Sequence, residues 1–162
     1  MGTQDNLMAA FAGESQANRK YTAFAAAAEK EGFKDAARLF KAAAEAENTH
    51  AVAELKLAGK LGDTKANLAA AIEGETYEFT TMYPDFEGTA KQEGQSAAEK
   101  AFILAKEAEK VHAKLYREAL ENLGRDTGEA YYLCPVCGYI EKGGAPDICP
   151  ICKAKGVSFK KY

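Results

Sequence analysis

The sequence predicts a mainly α protein: a four-helix bundle over residues 1–127, followed by a small four-cysteine metal domain over 128–162. Three observations carry this expectation. Four long segments rich in Ala, Glu, Lys and Leu repeat apolar residues at spacings of three and four. All four cysteines fall between residues 134 and 152. After "GRDTG" the composition changes, and residues 131–162 hold three of the four prolines and four of the 14 glycines.

Taken in order, the predicted helices span 4–31, 34–58, 65–92 and 95–123, each reading as an amphipathic helix. Breaks fall at Gly32, at "GKLGD" (59–63) and at Gly94. Pro84 lies inside the third pattern and predicts a kink or an early end there. Ser96-Ala97-Ala98-Glu99 reads as a capping box opening the fourth helix, which closes before Gly124.

Composition excludes several classes of function. A net charge of -3 with no Lys/Arg stripe speaks against nucleic acid as a partner. No run of about 18 apolar residues occurs, and "MGTQDNLMAAFAGESQ" lacks the pattern of a secretory leader. Asn6 stands where a myristoylation signal needs Ser or Thr. Clustered cysteines do not make a disulfide framework, so they are read as one metal site in a reducing, cytoplasmic setting.

The helical stripes contain residues that an apolar core should reject. In the fourth helix the stripe runs Ala98, Phe102, Ala105, Glu109, His112, Tyr116, Ala119 and Leu123. In the second it runs Ala36, Phe40, Ala43, Glu47, His50 and Leu57, so "ENTH" repeats the arrangement of "EKVH". The first and third stripes each carry one Glu among apolar neighbours, Glu14 and Glu75. Glu14 and Glu47 are 33 residues apart, Glu75 and Glu109 34, which reads as a duplicated helical hairpin. Four carboxylates facing one dry core would repel one another and cost several kcal/mol each to desolvate. A pair of metal ions removes that cost. Two lone Glu and two Glu-x-x-His motifs on four helices are the ligands of a ferritin-like di-iron or di-manganese carboxylate site. Glu78, one turn after Glu75, is a seventh candidate ligand. Tyr21 and Tyr83 lie two turns beyond Glu14 and Glu75 on the same faces, where aromatic packing is the plain reading. Glu45, Glu73 and Glu107 fall off the common register. Glu54, near the stripe, has Tyr116 as its counterpart in the duplicated helix and is read as a surface or outer residue.

The two knuckles "CPVC" and "CPIC" supply Cys134, Cys137, Cys149 and Cys152 for a tetrahedral thiolate site, which zinc and iron both fit. Tyr131, Tyr132, Tyr139 and Phe159 are the aromatic residues available to shield it.

These stretches resemble the rubrerythrin family over essentially the whole chain. They are "AFAGESQA", "ENTH", "GETYEFTTMYPDF", "EKVH", "YLCPVCGY" and "APDICPIC". The resemblance implies a ferritin-like di-iron domain joined to a rubredoxin-like domain with one iron on four thiolates. It implies a non-haem peroxidase, NADH-linked, that reduces hydrogen peroxide to water in oxidative stress defence. By matching position, Glu47 and Glu109 are the bridging carboxylates and Glu14 and Glu75 terminal ligands. His112 is the permanent imidazole ligand. His50 and Glu78 are the pair that exchange at the other iron, and Tyr21 and Tyr83 hydrogen-bond near the cluster. An electron-donating reductase or rubredoxin is the implied partner, with electrons reaching the di-iron site across a dimer contact. The competing readings are a ferroxidase or iron-storage protein, and a helical scaffold carrying a zinc ribbon.

The connection between the second and third helices is short for this fold, whose second and third helices run parallel. Eight residues, 59–66, reach at most about 27 Å, while the return needs roughly 26 Å plus a sideways step. A domain-swapped homodimer, with helices one and two of one chain against three and four of another, is therefore expected, and an up-down-up-down bundle is its rival.

Overall fold

The computed structural model describes residues 2–162, in two compact units: one through Gly62, the other Asp63–Tyr162. In the first, α1 (Thr3–Glu31) and α2 (Lys34–Leu57) form an antiparallel hairpin. Gly32, at φ 88°, makes the turn between them, a left-handed conformation that only glycine adopts without strain. The buried residues of the hairpin are small, Ala25, Ala28, Ala37, Ala44 and Ala51, so the two backbones approach closely. Asn18 is the buried polar exception, and its Nδ2 donates to the Ala44 carbonyl at 2.7 Å, tying the helices together.

The second unit begins at Asp63, whose side chain caps α3 (Thr64–Tyr77) by accepting from the Ala66 N–H at 2.8 Å. A π-helical segment, Glu78–Met82, continues without a break into α4 (Tyr83–Gln92). Pro84 therefore neither ends nor breaks the helix. It sits in the first turn of α4, and the wider turn before it absorbs the missing N–H and the ring, with the Tyr83 N–H bonding five residues back to Glu78. Helix α5 (Ser96–Glu121) packs against α3 and α4. The capping box expected at Ser96 is not formed. Gly94 turns at φ 70°, and the Gln95 carbonyl takes the Glu99 N–H at 2.9 Å, so Gln95 is the N-cap and Ser96 is already helical.

The chain ends in a three-stranded antiparallel sheet in the order β2-β1-β3: β1 Tyr131–Leu133, β2 Ile140–Lys142 and β3 Lys160–Lys161, with a 3-10 turn at Gly156–Ser158. Leu133 pairs with Ile140 and with Lys160. Gly156 is irreplaceable on space alone, since a Cβ there would stand 1.8 Å from the Pro146 carbonyl oxygen. No helix among the described residues is long and apolar enough to cross a membrane.

Candidate metal centres

In the first unit, Glu14 on α1 meets Glu47 and His50 on α2, with one ligand atom from each within 4.8 Å of the others. Helical periodicity places Glu47 and His50 one turn apart on one face, and the His50 Nδ1 lies 3.0 Å from the Glu47 Oε2. Glu14 is raised above the ordinary carboxylate range, first by its hydrogen bond to Glu47, then by burial and by the charges of Glu47 and Glu54. Two carboxylates brought this close repel each other, a cost that a cation between them would remove.

The second unit repeats this arrangement. Glu75 on α3 meets Glu109 and His112 on α5, again within 4.8 Å. The His112 Nδ1 lies 2.6 Å from the Glu109 Oε2 and 3.8 Å from the Glu75 Oε1. Glu75 is pushed up to about 7 by burial and the charge of Glu109. Glu78, in the π-helical segment, stands outside the trio but close enough that burial and the charge of Glu109 raise it too. Burial and the charges of Glu109, Glu78 and Glu75 likewise raise Tyr83. For His112, burial works to lower the ring, yet hydrogen bonds to Glu109 and to the Gly138 carbonyl outweigh it, and the net shift is upward.

Each hairpin also carries a triad of aromatic rings. Tyr21, Phe24 and Phe40 have centroids 5.5–6.2 Å apart; Tyr83, Phe86 and Phe102 have centroids 5.6–6.3 Å apart. The plain packing reading of the two tyrosines holds for their rings, each of which joins such a triad.

The four cysteines converge as expected. Sulfur atoms of Cys134 and Cys152 are 3.5 Å apart and those of Cys137 and Cys149 3.6 Å. A tetrahedron with metal–sulfur bonds of about 2.3 Å has edges of about 3.8 Å, so the cage fits one such ion. The two knuckles are built alike. The Gly138 N–H bonds the Cys134 carbonyl and the Lys153 N–H the Cys149 carbonyl, both at 3.1 Å. Both residues take the left-handed conformation, Gly138 at φ 82° and Lys153 at 65°. Cys134 is lowered to about 7 because backbone N–H groups of Cys137 and Val136 outweigh its burial, while burial raises Cys137 and Cys152. Around the sulfurs pack Tyr139, Phe159, Ile151 and Val111 of α5. Of the four aromatic residues expected to shield the site, Tyr139 and Phe159 do so; Tyr131 and Tyr132 stand outside that cluster, Tyr131 lining a cavity with His112 and Tyr116 of α5 instead.

Two participants escaped the sequence. The His112 Nε2–H donates to the Gly138 carbonyl at 2.8 Å, linking the carboxylate site to the first cysteine knuckle. The bond fixes the ring and points Nδ1 at Glu109 and Glu75, where its N–H donates to Glu109 and where a metal would take the place of that proton, the usual way a ligating imidazole is oriented. Tyr116, on the α5 stripe, is raised by burial and by the charges of Glu75 and Glu109, which places it beside the same carboxylates.

Both donor sets fit their metals: coupled carboxylates with imidazoles for a di-iron site, four convergent sulfurs for a single iron. Comparisons with known proteins agree. The Rubrerythrin family model matches residues 5–120, and the model for the rubrerythrin rubredoxin-like domain matches residues 132–160. Nigerythrin of Nitratidesulfovibrio vulgaris is 41% identical, with 99% of this chain aligned to 86% of its length. Rubrerythrin-1 of Clostridium acetobutylicum is 38% identical, over 93% of this chain and 89% of its own. Among solved structures, the fully reduced, all-ferrous state of nigerythrin matches with a TM-score of 0.62 at 39% identity, covering 100% of this chain and 87% of that one. With its paired Glu-x-x-His helices and its four-cysteine module, the chain belongs to the rubrerythrin family of di-iron and rubredoxin-like iron proteins.

Proposed function

We propose that this protein is a non-haem peroxidase that reduces hydrogen peroxide to two waters with two electrons and two protons. The electrons reach the di-iron centre through the four-cysteine site. The observation that carries the reading is the His112–Gly138 hydrogen bond, because it joins a carboxylate-site ligand to the thiolate knuckle inside a single unit. In functional terms the chain divides into a ligand-bearing helical domain, 1–127, and an electron-delivering module, 128–162.

When bound, the irons supply Lewis acidity and electrons, those of the four-cysteine site one at a time. Glu47 and Glu109 would hold both irons, and Glu14 and Glu75 one each. His112 would be the permanent imidazole, and His50 and Glu78 the pair that exchange. The assignment of the two imidazoles draws support from their surroundings. The His112 side chain is 16% exposed and held on both nitrogens, whereas that of His50 is 58% exposed and, among the described residues, bonded to Glu47 alone. Glu78 sits in a π-helical turn, the helical geometry most often found at working sites. Tyr83, held protonated by burial and by the charges of Glu109, Glu78 and Glu75, would donate a hydrogen bond to the peroxide substrate. Tyr21 has the corresponding place in the first hairpin. Soluble cytoplasmic reductases or rubredoxins are the expected electron donors.

The short connector supports a swapped homodimer. Leu57 and Thr64 are seven Cα steps apart, at most about 25 Å. Levelling His50 with Glu75 on parallel helices needs about 27 Å along the axis before any sideways step. Gly59, turning at φ 65°, shortens the reach further. Each hairpin therefore meets its complement on a second copy. Mixing Glu47→Gln chains with Glu109→Gln chains tests this: swapped dimers regain one intact site in each mixed pair, about a quarter of full activity at random mixing. No recovery rules the swap out.

Metal analysis with a visible spectrum tests the function as a whole. Three irons per chain and a red colour bleached by reductant are expected, with NADH-coupled peroxide turnover lost in Cys134→Ser. Native zinc in the thiolate site, or full turnover in that variant, overturns the proposed electron route.

A further inference from the structure

Helix α5 carries its metal ligands on one side and a row of cations on another. Lys110, Lys114 and Arg117 stand at intervals of four and three, so they share a face. Their mean direction lies about 140° around the helix axis from that of Glu109 and His112, at about 100° per residue. The three cations line a groove of about 640 Å³, with Pro150 and Ile151 of the second cysteine knuckle on its other wall. One carboxylate, Glu107, lines it as well.

The positive charge of this face is largely uncancelled. Lys110 makes no ion pair among the described residues. Lys114 lies 3.5 Å from the Glu118 Oε1, but both side chains are well exposed, so the pair is weak. The Arg117 guanidinium donates to the Thr76 Oγ1 at 2.9 Å, a neutral acceptor that fixes its position and leaves its charge. On the knuckle wall the Lys153 Nζ donates to the Pro150 carbonyl at 2.8 Å, which adds a fourth cation on a neutral acceptor. The whole chain is net -3, so a basic groove is a local exception.

The groove also lies against the thiolate cage. Val111, Tyr139 and Ile151 line it and pack around the cysteine sulfurs too, so one layer of side chains separates the two. An apolar floor inside a charged rim is the make-up of a small, transient protein interface. A four-thiolate iron takes one electron at a time, which suits a one-electron carrier and not a hydride-donating nucleotide. A second copy that completes the carboxylate site belongs on the ligand side of α5 and leaves the groove open.

We propose that this groove is the docking site of an acidic one-electron carrier protein, whose carboxylates meet Lys110, Lys114 and Arg117. One electron leaves the carrier and turns the ferric iron of the four-cysteine site ferrous; no atom or proton is transferred. The assignment rests on the peroxidase reading above, in which electrons enter at that site. Two net-negative proteins repel at long range, so attraction confined to the groove selects the orientation that brings the carrier to the cage.

The test uses full-length, iron-loaded protein and follows, in stopped flow, the bleaching of the thiolate iron's visible absorbance. The donors are a reduced acidic ferredoxin and reduced methyl viologen, a small cation that needs no docking face. Lys110→Glu/Lys114→Glu is expected to slow reduction by the ferredoxin ~10–100-fold at low ionic strength, and the deficit should shrink as salt is raised. With viologen the same variant should match or exceed wild type. Lys56→Glu/Lys100→Glu changes two exposed lysines outside the groove by the same total charge and should stay within roughly threefold of wild type with the ferredoxin. Equal ferredoxin rates in the groove and control variants overturn the docking site and leave the peroxidase reading standing. So does a groove variant that changes oligomeric state at an unaltered ferredoxin rate, since a second copy then fills the groove. Wild-type thiolate iron that neither donor reduces overturns the electron route itself, and the docking site with it.

Discussion

The two helical hairpins are near copies, and the places where they differ are the informative ones. Both carry a Glu, a Glu-x-x-His and an aromatic triad, and the triads match to within a few tenths of an ångström in centroid spacing. Yet Tyr21 follows Glu14 by seven residues, while Tyr83 follows Glu75 by eight. On an unbroken α-helix the extra residue would swing Tyr83 by about 100° off the face. The π-helical segment Glu78–Met82 takes up that residue and returns Tyr83 and Phe86 to the side of Phe102. One inserted residue therefore lets the second hairpin carry Glu78 without disturbing its aromatic packing. A second difference lies at the imidazoles: His112 is anchored by Gly138, and His50 has no such anchor.

The comparison can be broken most severely at the shared carboxylates. Glu47→Gln and Glu109→Gln should each empty the carboxylate site, leaving about one iron per chain by metal analysis and lowering peroxide turnover by more than ~100-fold. A large loss in one and little in the other would mean that the hairpins do not contribute equally.

Next in size is the contrast between the imidazoles. His112→Gln is expected to weaken iron retention by ~10–100-fold. His50→Gln should cost several-fold less, since its ring is mostly exposed and singly bonded. Equal losses would remove the distinction between a fixed and an exchanging ligand.

The pH dependence follows from Glu75. Its ordinary carboxylate value of 4.5 rises to about 7 in the fold, so the folded, metal-free chain holds this proton more tightly than the unfolded one. The resulting stability is complete below about 4.5 and is lost as pH climbs to about 7. Metal-free protein should thus melt lower at pH 8 than at pH 5. Ferrous iron must displace the same proton, so its affinity should rise with pH through that window. Melting curves and iron titrations at the two pH values check both signs, and a metal-free melting point that is flat with pH counts against the coupled carboxylates.

The smallest expected effect concerns the other repeated pair, the cysteine knuckles. Lys153 holds at φ 65° the conformation that Gly138 holds at 82°. Lys153→Gly should relieve strain of up to ~1 kcal/mol, less the added flexibility of the unfolded chain, and shift the melting point slightly upward. A drop would mean that the Lys153 Nζ bond to the Pro150 carbonyl matters more than the strain.

Much of this was legible in the sequence because helical periodicity alone puts Glu47 with His50 and Glu109 with His112. The paired Cys-x-x-Cys spacing likewise needs no tertiary knowledge. What escaped depends on contacts between distant segments. Pro84 reads as a kink, since nothing local reveals that Phe102 demands a fixed phase for Tyr83. Ser96 reads as a cap because the motif is complete, but the turn at Gly94 starts the helix one residue sooner. Gly138 lies 26 residues from His112, and a backbone carbonyl leaves no trace in the letters. Glu54 reads as an outer residue because its duplicated counterpart is a tyrosine, and only the fold shows that one of its oxygens is enclosed without a partner.

The bond from His112 to Gly138 also ties the energetics of the two metal sites together. An imidazole that gives electron density to a metal through Nδ1 becomes a stronger donor at Nε2–H, and so grips the first knuckle harder. Linkage then requires reciprocity: whatever factor iron in the carboxylate site adds to the affinity of the thiolate cage, the cage must return. Filling either site should slow escape from the other, and loss of metal should be cooperative, with stripped and fully loaded molecules favoured over half-loaded ones.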